Sequence, residues 1–322
     1  MADPAQKRRR QDLSGGRRPV HEWVILAILG IAGLGGALAG AWWLWTQSGA
    51  GNVVRDGSPN WAPDGRVIFS SDQGGQEDLY LADRFGSDRV EVMTTPGDEG
   101  GASYSVDGQR IAYHSDWEGN FEIYVRPADA EYARRLTTNP AIDQAPTWSR
   151  DGKQIIFVSD RDNPNFDVYR MNADGTGEVE RLTHGGSNRF PQYSPDGGQL
   201  LLQVDRDVYV MSLSTRGLRR VTYEPDNGLY PTWSPDGLKI AFMSWRNGHS
   251  QIFTSGLDRS DTTAVVTMPN GDAISPRWSP DGKYIAFVHV PEGGVTGVQE
   301  ATQQRIVYVV ELASGRLSRV SR

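Results

Sequence analysis

Two hydrophobic patterns divide this chain. From Trp23 to Trp45 runs a stretch of 23 residues with no charge. An amphipathic helix would leave one polar stripe; here both faces are apolar. At 1.5 Å per residue such a helix is about 34 Å long, enough for a hydrocarbon core of about 30 Å. Beyond residue 55 the pattern changes. Apolar residues come in short runs bounded by turn residues: Val67–Phe69, Ile111–Tyr113, Ile155–Phe157, Leu200–Leu202, Ile240–Phe242 and Ile285–Phe287. Runs this short, flanked by Gly, Pro and Asp, predict buried strands rather than helices.

Each run follows an aromatic residue and a turn tetrad. The copies begin at Trp61, Tyr104, Trp148, Tyr193, Trp233 and Trp278, and the later ones read W/Y-S-x-D-G. Proline presets φ at the second turn position, Asp suits the third and Gly takes the left-handed corner. A third strand is expected at Leu79–Tyr80, Ile123–Tyr124, Val168–Tyr169, Val208–Tyr209, Ile252–Phe253 and Val307–Tyr308. A fourth, alternating polar and apolar, is expected at Arg135–Thr137, Arg181–Thr183 and Arg220–Thr222. The aromatic positions recur at intervals of 40 to 45 residues, the length of a four-stranded propeller blade.

The expected fold is therefore all-β: a six-bladed β-propeller of four-stranded antiparallel blades, preceded by one transmembrane helix. Its divisions are a basic cytoplasmic tail at 1–22, the helix at 23–45, a linker at 46–55 and the propeller at 56–322. Leu317–Val320 fits the fourth strand of the last blade, whereas no clear fourth strand precedes Trp61. Each blade is thus expected to be contiguous in sequence, with the ring closed mostly by packing of blade one on blade six. Val53–Val54 leaves room for a short added strand.

The repeat P-x-W-S-P-D-G-x-x-I-A-F, followed by I-Y-x-M and R-L-T, resembles the TolB-type β-propeller repeat. The best copies span Pro146–Thr183 and Pro231–Asp258. The resemblance covers all six repeats. It implies a periplasmic or secreted propeller that binds other proteins at a mouth of its central channel; some family members carry attached peptidase domains.

Charge supports a membrane address. The chain carries 33 Lys+Arg and 40 Asp+Glu, for a net charge of -7. Yet Lys7, Arg8, Arg9, Arg10, Arg17 and Arg18 cluster before the apolar span, which favours a cytoplasmic N-terminus. Trp23 at one end, and Trp42, Trp43 and Trp45 at the other, suit the two headgroup layers. The expectation is a single-pass protein of the cytoplasmic membrane with its propeller outside the cytoplasm. The competing reading is a cleaved signal peptide ending near Ala37–Ala39. The acidic remainder argues against nucleic acid as a partner. Zero Cys excludes disulfides, thiol nucleophiles and Cys-ligated metals.

Candidate chemistry is sparse. Asp56, Glu99, Asp143, Asn188, Asp226 and Asp272 recur five to seven positions before the repeat aromatic. A ring of them at the channel mouth would draw a basic peptide or a divalent cation; local turn capping is the simpler role. Trp117 and Trp245 fall in loops after second strands and are candidate partner contacts. The tetrad aspartates (Asp64, Asp107, Asp151, Asp196, Asp236, Asp281) read as turn formers, since an active site is needed once, not six times. Asp160–Asp167 reads as a hairpin loop, lacking the EF-hand Gly and terminal Glu. The five histidines show no metal-binding spacing, and no G-x-S-x-G elbow occurs. The expectation is a non-catalytic scaffold with no cofactor, its partners being other envelope or membrane proteins. The alternatives are a metal-assisted hydrolase or lyase, with an ion held by Asp143 and Asp226, and a carbohydrate-binding module.

Overall fold

The computed structural model describes residues 54–223, 227–246, 248–259, 261–292 and 304–321. The apolar span 23–45 lies outside them, and no described helix is long and apolar enough to cross a membrane.

Twenty-four strands are described, in six sheets of four. Blade one holds β1 (Asp56–Trp61), β2 (Val67–Ser71), β3 (Asp78–Ala82) and β4 (Val90–Met93). Blade two holds β5 (Glu99–Tyr104), β6 (Arg110–Ser115), β7 (Glu122–Pro127) and β8 (Arg134–Arg135). Blade three holds β9 (Asp143–Trp148), β10 (Gln154–Ser159), β11 (Asp167–Asn172) and β12 (Glu180–Arg181). Blade four holds β13 (Asn188–Tyr193), β14 (Gln199–Val204), β15 (Asp207–Ser212) and β16 (Leu218–Arg220). Blade five holds β17 (Leu229–Trp233), β18 (Lys239–Arg246), β19 (His249–Gly256) and β20 (Thr263–Val266). Blade six holds β21 (Gly271–Trp278), β22 (Tyr284–Pro291), β23 (Ile306–Glu311) and β24 (Leu317–Arg319). Within each sheet the strands lie side by side in chain order, so every blade is contiguous in sequence as expected.

The cores lie between blades. Ile68, Leu79 and Met93 of blade one pack against Ile111, Tyr113 and Tyr124 of blade two, and an equivalent cluster fills each following seam. The last seam joins Phe69 and Tyr80 of blade one to Ala286, Val307 and Val309 of blade six, which closes the ring. A lone sheet has two greasy faces and hides neither; stacking radially hides both. Ring stacking stiffens each blade: Phe69–Tyr80, Tyr113–Tyr124 and Phe157–Tyr169 are register partners with centroids 6.1, 5.6 and 5.9 Å apart.

The turn tetrads do what their composition predicts. Ser105, Ser149, Ser194, Ser234 and Ser279 donate to the Asp two residues on, and that Asp accepts the N–H two residues further. The serine hydrogen bond and then the N–H hold Asp107, Asp151, Asp196 and Asp236 below the usual carboxylate range. The turns also bear on one another. A Cβ on Gly108 would meet Pro63 at 3.3 Å, and one on Gly237 would meet Pro195 at 3.4 Å.

Closure follows the expected route with one addition. The Arg55 backbone forms a parallel bridge to Arg305, and the Asp56 N–H donates to the Arg305 carbonyl at 3.2 Å. The same backbone latch recurs at Glu99 N to Glu77 O (2.6 Å), Asp143 N to Phe121 O (2.8 Å) and Asn188 N to Phe166 O (3.2 Å). Every such latch joins the head of an innermost strand to the entry of the preceding blade's third strand.

Candidate functional site

The residues expected to ring the channel mouth sit at those latches. Asp56, Glu99, Asp143 and Asn188 open β1, β5, β9 and β13 and are fully or almost fully buried. Three of the four spend polar atoms on the protein itself. Glu99 accepts from Ser115 Oγ at 2.9 Å and from the Thr95 hydroxyl. Asp143 accepts from Arg161 Nη2 at 2.8 Å and from Asn139 Nδ2 at 2.7 Å. Asn188 donates to Asp167 Oδ1 at 2.9 Å and to the Gly185 carbonyl at 2.8 Å. Burial raises the Asp56 carboxyl, while Ser321 and Ser71 pull it the other way. Burial likewise pushes Glu99 up to about 7.

Asp272 and Asp226 do not share this register. Counted from Trp233 and Trp278, the equivalent positions are Gly228 and Ala273, both buried. Asp272 lies one residue earlier and accepts the Ser250 N–H at 2.6 Å. Asp226 lies outside the described residues.

A second recurring set caps the third strand. Glu122, Asp167 and Asp207 open β7, β11 and β15. Each is paired with an arginine of the fourth-strand motif: Arg135 at 2.8 Å, Arg181 at 2.5 Å and Arg220 at 2.6 Å. Two residues on, Thr137, Thr183 and Thr222 accept the Ile123, Val168 and Val208 N–H at 2.9, 2.9 and 2.8 Å. Thr183 and Thr222 also donate back to Asp167 and Asp207. The R-L-T motif is therefore a strand lock.

What faces the axis is set by a bulge. All six innermost strands shift register at the same place. There Ser58, Gly101, Ala145, Phe190, Tyr230 and Ser275 adopt φ of 46, 58, 52, 50, 53 and 54°. Five of these are not glycine, and left-handed backbone is unfavourable for L-residues by about 1–2 kcal/mol each. The next residue is Pro in five strands, which removes an N–H from an edge strand. All six bulge residues are partly exposed, so they line a lumen that solvent reaches.

The lumen is lopsided. Blades one to three present Ser58, Gly101 and Ala145. Blades four and five present Phe190 and Tyr230, whose ring centroids are 4.4 Å apart. Two guanidiniums accompany them. Arg189 stacks on Phe166 with its Cζ 3.7 Å from the ring centroid. Arg277 donates from Nη1 to the Pro276 carbonyl at 2.8 Å. Desolvation lowers both to about 10, so both stay protonated at neutral pH. Among the described residues neither has a carboxylate within ion-pair distance. Neither Arg189 nor Arg277 belongs to the repeat pattern that the sequence displays. The usable signal was the residue at each bulge, small in four blades and aromatic in two.

The repeat register, the blade topology and a match to the TolB β-propeller domain over residues 58–204 and 184–311 agree. The chain belongs to the TolB β-propeller family. TolB from Acinetobacter baumannii is similar at 26% identity and a TM-score of 0.63, over 70% of this chain and 57% of that one. The chain thus spans little more than half of that protein's length. A TolB candidate from Agrobacterium tumefaciens is similar at 28% identity and a TM-score of 0.58, over 70% of this chain and 87% of that one. An oligogalacturonate lyase from Vibrio parahaemolyticus shares the fold at 16% identity and a TM-score of 0.53, over 81% of this chain and 76% of that one. No protein of curated function matches the sequence.

Two further expectations find their places on this TolB-type propeller. Trp117 lies in the β6–β7 loop as expected, whereas Trp245, expected in a loop, lies within β18, whose ladder with β19 extends to Arg246; they are 52% and 61% exposed. They belong to blades two and five, which face each other across a six-membered ring, so they form no single patch. Among the described residues no three of His, Asp and Glu group as a metal site. Asp143 is already held by Arg161 and Asn139, and Asp226, its partner in the metal reading, is not described.

Proposed function

We propose that this chain is a membrane-anchored, extracytoplasmic propeller that binds another envelope or membrane protein and carries out no catalysis itself. One observation carries the reading. Most of the recurring carboxylates and hydroxyls are tied into latches, locks and turns, while the innermost strands of blades four to six carry Arg189, Phe190, Tyr230 and Arg277, the aromatic and guanidinium chemistry of recognition. Family membership supports it, and TolB proteins are among the similar structures. The apolar span 23–45 with its basic flank supports the anchor and the outward orientation.

Crosslinking in intact cells, followed by recovery of the full chain in mild detergent and mass spectrometry, tests the proposal. The expected result is one predominant envelope or membrane protein, with recovery reduced by Trp117→Ala or Trp245→Ala. Recovery of no partner, or turnover of a polysaccharide by the purified chain that chelators abolish, would overturn it. Protease added to intact spheroplasts should degrade the propeller; protection would overturn the orientation.

A further inference from the structure

We propose that the lumen wall formed by Arg189, Phe190, Tyr230 and Arg277 binds an acidic segment of the partner polypeptide, with a carboxylate seated on Arg277. This rests on the protein-binding reading and names the chemistry of the partner.

The arginines of this propeller are unequally paired. Arg135, Arg161, Arg181 and Arg220, at the rims of the blades, each face a carboxylate. Arg277 projects from β21, the innermost strand of blade six, and its one described acceptor is the adjacent Pro276 carbonyl. A guanidinium offers five N–H donors, so most of its capacity is unspent. Withdrawing a cation from bulk water without an anion is unfavourable, and an incoming carboxylate repays that loss with charge-assisted, bidentate hydrogen bonds. Arg189 adds a second positive charge from β13. Asp160 attracts it without an ion pair forming, and the Tyr230 phenol interacts electrostatically with both arginines. Tyr230 and Phe190 supply an apolar wall beside the charges.

Shape agrees with charge. Ser58, Gly101 and Ala145 leave the opposite side of the lumen with almost no side-chain bulk. A chain segment therefore meets less side-chain bulk against blades one to three, with its acidic side chains directed to blades four to six. Pairing as an added strand is disfavoured, because Pro59, Pro146, Pro191, Pro231 and Pro276 withhold N–H donors there. Recognition falls to side chains.

The test uses the full chain in detergent micelles and a fluorescein-labelled hexaglutamate peptide that carries a photo-crosslinker, read by anisotropy. Hexaglutamine is the neutral control. The wild type should bind hexaglutamate at least tenfold more tightly than hexaglutamine, and binding should weaken as salt rises from about 50 to about 500 mM. Arg277→Gln should lower affinity tenfold or more, and Arg277→Lys by less, since the charge stays and the fork is lost. Arg66→Gln, which touches only an exposed ion pair with Asp64, should change nothing. The basic N-terminal tail also attracts the probe, so the crosslink must map to β13, β17 or β21. If Arg277→Gln does not fold, Arg189→Gln gives the same reading. Crosslinks confined to the tail, equal binding of hexaglutamine, or unchanged affinity in the folded variants would overturn the inference. So would binding of trigalacturonate with no binding of hexaglutamate. A partner recovered from cells whose binding ignores Arg277 would defeat this inference alone; absence of any partner would defeat the scaffold reading.

Discussion

Asn188 of blade four donates its side-chain amide to Asp167 of blade three across 2.9 Å, and both residues are buried. Asp167 also accepts from Thr183 at 2.9 Å, so one carboxylate organises a strand lock and a blade seam together. Asp167→Ala leaves the Thr183 hydroxyl and the Arg181 guanidinium without this acceptor, at about 1–3 kcal/mol each. Asp167→Asn keeps the shape and one acceptor, and should lose less. The midpoint of urea unfolding should fall in the order wild type, Asn, Ala. Equal midpoints would mean that the seam does not depend on this carboxylate.

His114 accepts the Ala145 N–H at Nδ1, 3.4 Å away, and burial pushes its pKa down to about 3. An unfolded His takes a proton near 6.5. Between these values the unfolded state binds more protons, so stability is complete above about 6.5 and declines as pH falls toward about 3. At pH 5 the loss is about 2 kcal/mol. Blade four solves the same problem with an amide: Gln203 Oε1 accepts the Tyr230 N–H at 3.2 Å. His114→Gln should therefore keep the contact and flatten the unfolding profile between pH 7 and 5. An unchanged slope would show that other groups set acid sensitivity.

Glu99 works in the opposite direction. Burial raises it to about 7, whereas an unfolded Glu titrates near 4.5. The folded state holds this proton longer, so its contribution is complete below about 4.5 and is lost as pH rises through about 7. A Gln side chain accepts from Thr95 and Ser115 as the acid does. Glu99→Gln should raise the unfolding midpoint at pH 8 and leave it unchanged at pH 4.5. A gain at both pH values would point to packing instead of ionisation. Glu99 pairs with Ser115 and Gly100 with His114, so the double variant should depart from additivity.

The architecture was readable because it is repeated. Six copies of a turn tetrad, an apolar run and an R-L-T ending report strand count, blade order and closure, and an error in one copy is corrected by five others. The candidate ring was less readable, since a spacing of five, six or seven residues cannot distinguish neighbouring registers. One residue of slip turns a side chain to the other side of a strand. Asp272 differs from Asp56 by that single step. Arg189 and Arg277 were hidden for the opposite reason: each occurs once, so repetition gives it no emphasis. Their prominence comes from burial and from neighbours such as Phe166 and Tyr230, which only folding brings together.

The lumen bulge offers the last test. Gly101 holds φ of 58°, and a Cβ there would lie 2.7 Å from the ring of His114. That ring is buried and packed edge-on against Phe121 at 5.3 Å. Gly101→Ala should therefore combine left-handed strain of about 1–2 kcal/mol with an overlap of similar size. Ala145 occupies the equivalent place in blade three at φ of 52°. Ala145→Gly removes the strain there but loosens the unfolded chain by about 0.5–1 kcal/mol, so it should be neutral to mildly stabilising. Thermal unfolding of the two variants should thus diverge in sign or strongly in size. Equal, small effects would mean that the bulge relaxes freely, and the lumen could not then hold Phe190 and Tyr230 in one fixed arrangement.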